Sequence, residues 1–178
     1  MAFKNNGPEK GSIAYLQQQS NSARFFLLIT VILSAVNCVL LFTEFDRFFL
    51  YSAWFPYWQL DLNVLGLGGE LAIVWAVLSV GALLVCWIMW NKNKLFSMVA
   101  AALMAADTVY LVITMSDWKG ILNEDGISTM ILNLIFHIIV VVFMVIGYVH
   151  LGKLEKARAA AQAAAPQPAQ TEFKGPEF

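Results

Sequence analysis

The sequence predicts an all-α protein: a four-helix transmembrane bundle with both termini cytoplasmic and an aromatic interfacial segment in the first outer loop. Three observations lead there. Of the 178 residues, 60% are hydrophobic and 13% charged, whereas a water-soluble domain carries about a quarter of its residues as charges. The apolar residues fall into four blocks, at about 25–43, 67–90, 95–115 and 128–151. A helix crosses ~30 Å of hydrocarbon with roughly 20 such residues. The basic residues, finally, collect on one side of those blocks. Short segments of alternating hydrophobicity, which a membrane β-barrel would need, are not seen.

Residues 1–24 read as a polar cytoplasmic arm with at most one helical turn near Ile13–Gln19. Span 25–43 follows Arg24. It is too long for the apolar core of a signal peptide and lacks a small-residue cleavage pattern, so it reads as a retained anchor. Lys92 and Lys94 lie between spans 67–90 and 95–115. The tail, 152–178, is rich in Ala and Pro; GKLEKARAAAQAAA can prolong the last helix, Pro166 and Pro168 stop it, and the remainder reads as disordered. Lys4, Lys10, Arg24, Lys92, Lys94, Lys153, Lys156, Arg158 and Lys174 would then share one side, against Arg47 and Lys119 on the other. That asymmetry places the termini inside by the positive-inside rule. The protein is expected in the cell membrane, multi-pass, with the lipid bilayer as its first partner. The net charge of −1 implies no nucleic acid.

The first outer loop contains RFFLYSAWFPYW, Arg47–Trp58, in which seven of twelve residues are aromatic. Tyr and Trp favour the membrane–water interface, where a ring is buried while its polar edge stays wet. Phe48, Phe49, Tyr51, Trp54, Phe55, Tyr57 and Trp58 are therefore expected to lie along the outer face or dip in shallowly, with Pro56 interrupting any long helix. The segment serves either as an anchor or as a lid for an outer partner. YSAWFPYW resembles an aromatic–Ser–Ala–x–x–Pro–Tyr pattern of small, uncharacterised four-span membrane proteins of Gram-positive bacteria. The likeness covers about a fifth of the chain and implies a four-span fold with no activity attached. Small multidrug transporters also have four spans, but they use an acid in the first one, and 25–43 has none.

Ionisable groups inside spans are costly and face the bundle interior. Asp107 lies nine residues below the outer end of its span at Ser116, and His137 nine residues below Ser128. Both come out ~13 Å deep at 1.5 Å per residue. Their helices are consecutive and expected to be antiparallel neighbours, so a hydrogen-bonded pair is predicted. Asn133 stands one turn from His137, Tyr110 and Thr114 share a face with Asp107, and Thr30, Ser34 and Asn37 line the first span. Glu70 either caps the first turn of the second span or joins this polar cluster. Cys38 and Cys86 should differ in depth by ~15–20 Å, too far for a disulfide.

The sequence contains no metal-ligand spacing, P-loop, dinucleotide fingerprint or nucleophile elbow, so no metal, cofactor or catalytic residue is expected. An intramembrane enzyme would have only the Asp107/His137 pair behind it, and two functions stand ahead of it. One is a non-enzymatic accessory or scaffold subunit acting by association, with a membrane-protein partner or as a homo-oligomer. The other is a small oligomeric proton-linked transporter using the Asp107/His137 pair.

Overall fold

The computed structural model describes residues 7–43, 49–64, 69, 71–118 and 124–164. Among them are five α-helices: α1 (Ile13–Phe42), α2 (Trp54–Val64), α3 (Ala72–Met89), α4 (Lys94–Trp118) and α5 (Glu124–Ala164). Four of these, α1, α3, α4 and α5, are long and apolar enough to cross a membrane. We call the end holding residue 13, residue 164 and the α3–α4 turn the terminal end, and the opposite end the loop end.

The long helices interlock through 3–4 spaced residues. In α5 the buried positions are Met130, Asn133, His137, Val140, Met144, Gly147, Leu151 and Leu154; in α4 they are Ser97, Ala100, Met104, Asp107, Leu111 and Thr114. This is knobs-into-holes spacing, and α5 uses it against both α1 and α4. The other faces carry exposed Val, Ile and Leu, among them Val77, Leu78, Val109, Ile113, Ile138 and Val142. Lipid tails are as apolar as these side chains. Helix association in a membrane therefore depends on packing and polar contacts, and the seams hold the small and polar residues.

Two elements depart from expectation. Helix α1 starts at Ile13 rather than at residue 25. Ser12 caps it, its Oγ accepting from Tyr15 N–H at 3.2 Å, and Gly11 supplies the φ of +88° that reverses the chain just before. The polar stretch stays helical because Leu16, Ser20 and Ala23 are buried and Leu16 and Ala23 share a core with Leu151 and Leu154 of α5. Helix α3 starts at Ala72 rather than at residue 67; Gly69 and Leu71 before it are not helical, and glycine is a poor helix former.

The larger correction is α2, a fifth helix in what reads as a loop. Pro56 does not break it. Pro56 falls in its first turn, where the missing N–H has no intrahelical partner to lose. The segment is also not a surface layer: Ser52, Ala53, Trp54 and Leu60 are buried, and α2 packs on α1, α3 and α4. Its N-terminal Ala53, Phe55 and Pro56 share a cavity wall with Ser79 and Leu83, while Leu60 lies with Ile73 and Ala76, nearer the start of α3. The chain thus leaves α1 at the loop end, re-enters the bundle, reverses at Ala53 and climbs back as α2. Lipid-exposed irregular backbone is not tolerated at membrane depth, but backbone buried in protein is.

Candidate functional site

Three helices position the reversal. Asn37 of α1 meets the descending strand: its Nδ2 donates to the Phe49 carbonyl and to Ser52 Oγ, both at 2.8 Å, and its Oδ1 accepts from Phe49 N–H at 2.9 Å. One turn earlier in α1, Ser34 Oγ accepts from Ala53 N–H at 2.7 Å while donating to the Thr30 carbonyl at 2.6 Å. Tyr51 has a φ of +69°, which costs a non-glycine residue about 1–2 kcal/mol. Its ring lies against Phe136 of α5, with centroids 3.9 Å apart and planes tilted by 37°, so the conformation is held from outside.

Asp107 of α4 sits directly under the α2 N-terminus. Its Oδ2 accepts from Trp54 N–H at 2.8 Å and its Oδ1 from Phe55 N–H at 2.7 Å. A carboxylate supplied by another helix thus does what an N-cap side chain does locally, at the positive end of the α2 dipole. His137 of α5 completes the cluster, with Nε2 2.8 Å from Asp107 Oδ2 and Nδ1 2.8 Å from the Asn133 carbonyl. A carbonyl can only accept, so Nδ1 carries a hydrogen. Nε2 faces the same carboxyl oxygen that accepts from Trp54 N–H. Two amide donors are matched best by the carboxylate, which accepts at both oxygens without offering a proton.

Further along α2, Trp54 Nε1 donates to Thr114 Oγ1 at 2.8 Å, Gln59 Nε2 donates to Tyr110 Oη at 3.3 Å, and the Phe55 ring meets the Tyr110 ring edge-on. Trp54 stacks on Trp58 and lies against Tyr57. The structure therefore brings Asp107, His137, Asn37, Tyr110 and the aromatic residues Phe49, Tyr51, Trp54 and Phe55 into one assembly around the reversal. Ser34, expected with Thr30 and Asn37 among the polar residues of this layer, meets the reversal directly. Ser52, expected to be hydrated, is buried against Asn37, and the amides of Trp54 and Phe55 were missed, since backbone donors carry no sequence signal. Glu70 and Phe48 lie outside the described residues.

Asn133 stands apart. It is 1% exposed, its backbone carbonyl faces His137, and neither atom of its carboxamide has a hydrogen-bond partner among the described residues. Leaving a buried amide unsatisfied costs roughly 1–3 kcal/mol. Replacing Asn133 by Leu is therefore expected to raise stability in detergent by about 1–2 kcal/mol, read from reversible denaturant unfolding. A loss instead would mean that the carboxamide is engaged.

On its other side Asp107 borders a crevice of about 320 Å³ between α3 and α4, walled by Phe55, Pro56, Leu83, Leu103 and Met104. Among the described residues no three His, Cys, Asp or Glu side chains group as metal ligands, and both cysteines are free.

These features define a class: a helical bundle with four candidate spans, compatible with a multi-pass integral membrane protein, built around a re-entrant helix. No family model matches the chain, and neither a curated protein nor a solved structure gives a match.

Proposed function

We propose that the protein is a non-enzymatic accessory or scaffold subunit that acts by association within the membrane. The observation that carries this reading is how Asp107 is spent. Both of its oxygens hold the α2 amides, and His137 completes the set. The buried Asp107–His137 pair then works as architecture, fixing a re-entrant aromatic helix in place. Interhelical polar contacts of this kind contribute ~0.6–2 kcal/mol each in a membrane. The charge asymmetry supports a cell-membrane location with both termini cytoplasmic, and the pattern in YSAWFPYW supports kinship with small four-span proteins of Gram-positive bacteria.

Gentle purification of the tagged protein from its own membranes, followed by native mass measurement, tests the association. A foreign subunit at fixed stoichiometry is expected. A homo-oligomer with nothing else bound would count against it.

A proton-linked transporter is the second reading. It is favoured by the crevice that reaches Asp107 and by the unpartnered Asn133 amide one turn from His137. Intramembrane carboxylates and histidines recur in proton relays. It would show as pH-dependent flux in proteoliposomes, abolished by Asp107→Asn in a variant that still inserts and folds.

A further inference from the structure

A second polar site lies at the terminal end of the bundle, far along α1 from the reversal, and the functional reading above does not use it. Arg24 is the last charged residue before the apolar run of α1. Its Nε donates to the Trp87 carbonyl of α3 at 3.1 Å, and its guanidinium lies 4.7 Å from the centre of the Trp87 ring. One edge of the guanidinium is thus tied and one face is covered. No hydrogen bond or ion pair to another described residue occupies its two terminal nitrogens.

Arg24 borders a crevice of about 350 Å³ between α1 and α3, which Asn21 and Asn91 also line. Asn21 is oriented: its Oδ1 accepts from Gln17 Nε2 at 2.9 Å, and Gln17 is in turn held by Arg158 Nη2 at 2.6 Å. With its oxygen committed, Asn21 turns an NH₂ to its surroundings. No acidic side chain is among the lining residues. A fixed guanidinium with carboxamide donors beside it and no carboxylate to compete suits a phosphate.

The apolar side of the same crevice identifies the kind of phosphate. Phe25 and Leu28 continue the wall from Arg24 into the apolar run, and Phe25 is 59% exposed. Trp87, which lines the crevice, brings an indole ring to this end, and indole rings favour the level of the headgroups. Cation and amides above, with exposed Phe25 and half-buried Leu28 below, form a two-part surface, and Lys92 adds positive charge in the adjoining turn. Basic pockets between membrane helices bind anionic headgroups in this manner.

We propose that Arg24, Asn21 and Asn91 bind the phosphate of an anionic phospholipid, with its acyl chain against Phe25 and Leu28. Arg24 makes the charge-assisted contact, Trp87 holds it in position, and the amides add neutral donors. The site depends on the four helices spanning a bilayer and not on the accessory-subunit reading.

The test is native mass measurement of the full-length protein in detergent, titrated with dioleoyl-phosphatidylglycerol or dioleoyl-phosphatidylcholine. Wild type is expected to retain phosphatidylglycerol at least fivefold more than phosphatidylcholine. Arg24→Gln should abolish that preference. Because Arg24 also ties α1 to α3, Asn91→Asp serves as the second variant. It leaves the Arg24–Trp87 contact intact, places a negative charge on the crevice wall, and should cut phosphatidylglycerol retention severalfold with circular dichroism unchanged. Equal retention of the two lipids by wild type, or undiminished preference in Asn91→Asp, would overturn the proposal. So would glycerol 3-phosphate displacing the lipid at matched concentration, because the site would then belong to a soluble phosphate.

Discussion

Replacing Asp107 by Ala is expected to cost roughly 3–5 kcal/mol of folding stability, because it leaves three hydrogen-bonding groups without their partner, at about 1–3 kcal/mol each when buried. Two buried amides, at Trp54 and Phe55, lose their acceptor at once, and His137 Nε2 loses its partner. The damage should be local first. The α2 N-terminus has no intrahelical acceptor for those amides, so hydrogen exchange at Trp54 and Phe55 should accelerate before that of α1 or α5. Asp107→Asn should be milder, since its one remaining oxygen still accepts one amide. Paired with His137→Ala it should be non-additive by more than about 0.5 kcal/mol, because the two side chains are in direct contact. If Asp107→Ala left exchange at Trp54 and Phe55 as slow as in wild type, the carboxylate would not be what holds α2.

The second large effect is expected at Gly147. A Cβ built there would overlap the Ala23 Cβ and lie 2.9 Å from Trp90 Cζ2. Both neighbours are fixed. Trp90 is fully buried, with its Nε1 donating to Ser20 Oγ at 3.1 Å, and Ala23 sits on the backbone of α1. Gly147→Ala gains about 1 kcal/mol of helix propensity, but it must push α1 from α5 along their longest shared seam. The overpacking term, about 1–3 kcal/mol, should win in denaturant unfolding. Ala23→Gly in the same chain should recover most of the loss by reopening the contact. Gly152→Ala is the control: nothing lies within 4 Å of its added methyl, so it should be neutral or slightly stabilising. A Gly147→Ala protein as stable as wild type would mean that the two helices do not approach so closely.

Residue depth was the most legible property of the site. Counting inward from the ends of two apolar runs put Asp107 and His137 at one level, and in the structure they are 2.8 Å apart. This works because a helix rises a constant 1.5 Å per residue and consecutive spans alternate in direction. The reversal was not legible. RFFLYSAWFPYW has the composition of an interfacial segment, and the same rings suit a buried one. What buries it is a set of acceptors on α1 and α4, Ser34, Asn37 and Asp107, that satisfy its backbone at points remote in sequence.

The sequence alone determined that the chain forms long apolar helices, because hydrophobic length and scarcity of charge are local and additive along the chain. It also marked which polar residues must face inward, because an ionisable group in hydrocarbon is costly wherever the helices lie. Tertiary structure decided what those residues meet. Asp107 accepts from the backbone N–H groups of Trp54 and Phe55. Backbone donors are the same at every residue, so only the folding of the intervening chain selects which ones arrive.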